Sequence, residues 1–115
     1  MPSKTLKKAS YHFAVRIVKL AQKLRDGKNE NVLSNEVLKS RTAIGALVRA
    51  AELESNSEEY SETLHLALKE AHRAIYWLDI IEDTGYILET IAYSLKSDCN
   101  KLIEGIDLEK ASVSS

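Results

Sequence analysis

The sequence predicts an all-α protein built as an antiparallel up-and-down four-helix bundle, and three observations predict it. Its 115 residues include only four Gly and one Pro, so few positions interrupt a helix. The composition is rich in Ala, Leu, Glu and Lys, the strong helix formers. Apolar residues recur at steps of three and four through four segments joined by short polar connections, the pattern of antiparallel neighbours. The length sets a single domain over residues 1–115, with a core small enough that part of its apolar surface calls for a partner chain.

The first helix is expected over about residues 5–25, ended by Asp26-Gly27-Lys28-Asn29. Leu6, Phe13, Ile17, Leu20 and Leu24 share its core face. Beside them Lys8, His12, Arg16, Lys19 and Lys23 follow the same three- and four-residue steps and form a continuous basic ridge. Tyr11, Val15 and Val18 occupy a third side that a monomer would leave in water, which points to a protein partner.

The second helix is expected over about residues 31–54, burying Leu33, Val37, Ile44, Val48 and Ala51. Gly45 within it costs about 0.5 to 1 kcal/mol relative to Ala, which close approach of another helix would explain. The third is expected over 57–83, with acids in its first turn and Asp83-Thr84-Gly85 ending it. Tyr60, Leu64, Ala67, Ala71, Ala74, Ile75 and Leu78 form its core stripe, while Leu66, Trp77 and Ile80 form a second apolar side. The fourth is expected over 88–106, with Leu88, Ile91, Leu95, Cys99, Leu102 and Ile106 on one face, and residues 107–115 read as a frayed tail.

Charge is divided unevenly along the chain. Residues 1–49 hold eleven Lys/Arg against three acids, and from Ala50 onward five bases face fourteen acids. A basic half can serve as an RNA or DNA surface, or its helices can pack beside acidic ones with their rims paired.

The remaining features limit the chemistry. Apolar runs are far shorter than a membrane span and the first residues lack the apolar stretch of a secretory signal, so a cytoplasmic protein with no membrane partner is expected. The single cysteine, Cys99, forms no internal disulfide and reads as a small core residue flanked by Asp98 and Asn100. Glu62-Thr63-Leu64-His65 has the spacing of a di-iron half-site, but it lies off the core stripe and has no second copy. His65, His72 and Asp79 share a face two turns apart, too far for one ion. No phosphate loop or nucleophile motif is present, so neither an enzyme, a metal nor a cofactor is expected.

Thr42-Ala43-Ile44-Gly45-Ala46 with Arg49 and Ala51, Ala67-Leu68-Lys69-Glu70-Ala71 with Tyr76-Trp77-Leu78, Thr84-Gly85-Tyr86-Ile87, and Asp98-Cys99-Asn100-Lys101-Leu102-Ile103 carry a resemblance. They resemble the bacterial four-helix bundle proteins encoded by 23S ribosomal RNA intervening sequences, over roughly residues 9–106. The resemblance implies a ring-shaped homopentamer. It also implies kinship with the accessory proteins of diversity-generating retroelements, whose basic pentamers engage nucleic acid and a reverse transcriptase. This chain carries Arg41, Leu47 and Ala50 where that family often has Gly, Asn and Glu.

Two functional expectations follow. In one, an oligomeric accessory protein contacts RNA or DNA phosphates through Lys8, Arg16, Lys19, Lys23, Arg41 and Arg49, with no base-specific readout. In the other, the protein is a structural or protein-binding scaffold and the ridge only keeps it in solution. In either, Tyr11, Val15, Val18, Leu66, Trp77 and Ile80 are the candidate contacts between copies.

Overall fold

Ser3 starts the first helix: its hydroxyl accepts from the Leu6 amide at 3.0 Å, satisfying one of the donors that a helix N-terminus leaves open. The structure, a computed structural model, describes residues 2–28 and 31–114, the side chains of Lys28, Ser40, Arg41, Thr42 and Ser114 lying outside the described residues. Helix α1 spans Lys4–Lys28, α2 Val32–Ala51, α3 Ser57–Asp83 and α4 Glu89–Ser114. Asn56 caps α3 by accepting from the Glu59 amide at 2.9 Å, and Glu58 and Glu59 complement the positive end of the helix dipole. The same helix ends at Gly85, whose φ of 83° lets the Tyr86 amide reach back to the Ile81 carbonyl at 3.1 Å.

Each helix buries a stripe with alternating three- and four-residue steps. In α3 the stripe is Tyr60, Leu64, Ala67, Ala71, Ala74, Leu78 and Ile81, and in α4 it is Ala92, Leu95, Cys99, Leu102 and Ile106. Such spacing lets neighbouring helices lie close to antiparallel with interlocking side chains. Each helix contacts its two sequence or ring neighbours, in the order α1–α2–α3–α4–α1, giving a bundle of 45 × 21 × 19 Å. Lys7 pairs with Glu52 at 2.6 Å, tying the start of α1 to the end of α2, and Lys96 binds Asp79 and Glu82 across α3 and α4. The short connections between successive helices set the up-and-down order. The α1–α4 seam is the most sparsely packed of the four.

The structure corrects several expectations. Helix α1 continues through Asp26 and Gly27 to Lys28, because a glycine near a helix end costs little and nothing in those residues forces a reversal. Helix α2 closes at Ala51, and Glu52, Leu53 and Glu54 turn away with amides bonded to Arg49, Ala50 and Ala51 carbonyls. Residues 107–114 continue α4 as helix, held where Glu109 accepts from the Ser3 amide at 2.8 Å and from the Tyr60 hydroxyl at 3.2 Å. Val113 also packs on the core. Leu88 and Ile91 do not face the core: α4 begins only at Glu89, and Ala92 takes the buried register instead. Leu33 and Ile75 are half-buried, and the core contains two serines, Ser10 and Ser34, whose hydroxyls donate to the Lys7 and Asn31 carbonyls. Among the described residues no atom beyond its own chain neighbours and helix backbone comes within 4 Å of where a Cβ on Gly45 would stand, so close packing against another helix of the same chain does not account for that glycine.

Candidate nucleic-acid interface

Helix α1 carries eight Lys/Arg against one acid, Asp26, while α3 carries two against seven acids. Because α1 touches α2 and α4, the most basic and most acidic helices stand at opposite corners of the bundle. The basic rim is therefore not neutralised by α3, the arrangement a simple pairing of basic and acidic helices would require.

Two ion pairs orient α1. Lys7 turns one flank toward α2 through Glu52, and Arg16 turns the other toward α4, its guanidinium 2.5 Å from the Asp98 carboxylate. The ridge predicted from sequence runs along this α4 flank. Lys8, His12, Lys19 and Lys23 are exposed, and among the described residues none of the three lysines has a carboxylate within ion-pair distance. From Lys8 to Lys23 the ridge extends about 22 Å at the helical rise. Arg16 interrupts it, half-buried and partly neutralised by Asp98.

Arg49 is exposed on α2 and does not join the ridge. It lines a groove between α1 and α2 with Lys7, Ser10, Tyr11, Ala14 and Gly45. The side chain of Arg41 lies outside the described residues. Between the ridge and Arg49 runs the outer strip of α1, where Tyr11 is exposed and Val15 and Val18 are half-buried. On α3, Leu66 is exposed and Ile80 half-buried, while Trp77 is half-buried with its ring edge-on to Tyr76 at 5.2 Å. These three lie far from the α1 strip in the chain order of contacts, on a helix that does not touch α1.

Sequence reasoning did not identify the cleft beside the ridge. Leu20, Leu24 and Leu95 form its floor, Tyr86, Ile87, Leu88 and Ile91 its open end, and Arg16, Lys19 and Lys23 its rim, with a volume of about 420 Å³. The only sequence signal was the position of Leu88 at the very start of its helix, which leaves it outside the helical register.

Burial, with Asp98 adding to it, pushes the Cys99 thiol up to about 12, and its sulfur donates to the Ala71 carbonyl at 3.2 Å. His65 contacts Lys110 at 3.0 Å and Asp79 binds Lys96, so these members of the shared face have separate partners on α4. Among the described residues no three His, Cys, Asp or Glu side chains gather as metal ligands would, and no described helix is long and apolar enough to cross a membrane.

The sequence profile described as 23S rRNA-intervening sequence protein matches residues 4–107. A solved structure from Bacteroides thetaiotaomicron VPI-5482, described as a protein of unknown function from the S23 ribosomal protein family, is 32% identical with a TM-score of 0.92. The match covers 100% of both chains. Among curated proteins there is no match.

Proposed function

The chain belongs to the 23S rRNA-intervening sequence protein family, and from that premise we propose a non-enzymatic, homo-oligomeric accessory protein that binds RNA or DNA through the α1 ridge. The observation that carries the reading is the alignment of Lys8, Lys19 and Lys23, exposed on one flank of α1 with no carboxylate in ion-pair reach among the described residues. Cations in that state can displace condensed counterions from phosphates, the main source of affinity for nucleic acid. The ridge offers no planar pair of donors and acceptors aimed at base edges, so it follows the backbone and the shape of the duplex. On the other flank of α1 Lys7 is paired with Glu52, which leaves Arg49 of α2 as the exposed cation of that groove.

Assembly into a ring of five would bring several ridges together, and the outer strip of Tyr11, Val15 and Val18 with the small residues around Gly45 supplies apolar surface for such contacts. That same apolar surface favours the second reading, a protein-binding scaffold indifferent to nucleic acid. Anisotropy of a labelled RNA hairpin and a labelled DNA duplex, titrated with the protein at several salt concentrations, separates the two. Salt-sensitive binding to either supports the first reading; absence of binding at low salt by an intact oligomer supports the scaffold.

A further inference from the structure

Beyond that reading, we infer that the cleft between α1 and α4 is a binding site for an aliphatic carboxylate, a single flexible apolar chain with one anionic head. Its floor is made by Leu20, Leu24 and Leu95, core residues covered almost completely by their neighbours, so the cleft is an open groove lying over the α1–α4 seam. At its mouth Leu88 is 69% exposed and Ile91 39%, apolar area that the bundle leaves in contact with water. The charged groups lining it are all cations, Arg16, Lys19 and Lys23. Arg16 is already tied to Asp98, which leaves the two lysines to face an anionic head.

The volume of about 420 Å³ is that of a small-molecule site, and bundles commonly place such sites between helices. From Arg16 to Leu24 the wall is about 12 Å long at the helical rise, which suits an extended chain of medium length. A nucleobase fits poorly, because an all-aliphatic floor leaves the polar edge of a base without partners. A partner helix, about 10 Å across, would meet only the lip. A slender apolar tail fills the cleft, and its head reaches the lysines.

Decanoate is the probe, added to the full-length protein with labelled Leu, Ile and Val methyl groups and followed by NMR, with no nucleic acid present so that the outcome is separate from the ridge reading. The expected result is saturable shifts at Leu20, Leu24, Leu88, Ile91 and Leu95 below the concentration at which decanoate aggregates. Decyltrimethylammonium, with the same tail and opposite charge, is expected to bind at least about tenfold more weakly. A Lys19→Gln, Lys23→Gln variant is expected to lose about fivefold or more in affinity. Leu88→Asp, at an exposed position that leaves the core intact, is expected to weaken decanoate as well, with an unchanged circular dichroism spectrum. Equal response to the two head groups, shifts scattered over other surfaces, or binding only above aggregation would each overturn the assignment.

Discussion

At Tyr60 a phenol sits 4% exposed at the end of the core and donates to Glu109. Burial first, and then the neighbouring carboxylate, push its pKa up to about 12. The unfolded chain ionises this tyrosine near 10 and the folded chain resists, so the contribution of Tyr60 to stability is fully present below pH 10 and is lost as pH rises toward 12. An absorbance titration of the unaltered protein should therefore show a late-ionising phenol that Tyr60→Phe lacks, with the unfolding midpoint falling through the same window. Identical titration curves for the unaltered protein and Tyr60→Phe would contradict this. Tyr60→Phe removes the bond to Glu109 and is expected to cost about 1 kcal/mol in denaturant unfolding. Cys99 should be inert to thiol reagents in the folded protein and react at the rate of global unfolding, since both its burial and its bond to Ala71 oppose the thiolate. The core role of Cys99 was readable because it shares a seven-residue register with Leu95, Leu102 and Ile106. The pairing of Arg16 with Asp98 was not, because local spacing carries no information about which acid of a distant helix meets a given base.

Helices show the same division between what periodicity states and what tertiary contact decides. The interiors of all four were legible from their apolar steps, whereas their ends depended on long-range partners. Helix α4 illustrates this, since Ser3 and Tyr60, remote in sequence, hold Glu109 and extend the helix past Ile106. A chain cut after Ile106 loses those bonds and the packing of Val113, and is expected to lose about 1–3 kcal/mol, lowering the thermal midpoint by several degrees. An unchanged midpoint would mean the segment contributes nothing. Gly45 tests α2. Its site has room for a methyl group and no unusual backbone angle, so Gly45→Ala is expected to stabilise the folded chain by about 0.5–1 kcal/mol. A lower midpoint at unchanged mass would contradict that. Mass measurement on the same variant also reports whether copies approach one another at this groove.

For the whole molecule the governing feature is polarity. Net charge is only −1, yet a basic α1 and an acidic α3 occupy opposite corners, so one face can attract a polyanion that the molecule as a whole would not. The sequence made the basic half legible, and the ring of contacts determined that α3 does not cover it. The cleft escaped sequence reading because it is built from the end of one helix and the start of another. Phosphate contact by Lys8, Lys19 and Lys23 is the central claim about this face. The most direct test is the salt dependence of binding to duplex DNA and to an RNA hairpin, compared between the protein and a Lys8→Gln, Lys19→Gln, Lys23→Gln variant of the same oligomeric mass. For the unaltered protein log K is expected to fall linearly with log salt, and the variant is expected to bind more weakly with a duplex slope shallower by up to about 2.7. Equal affinity and equal slope for the two proteins would contradict it.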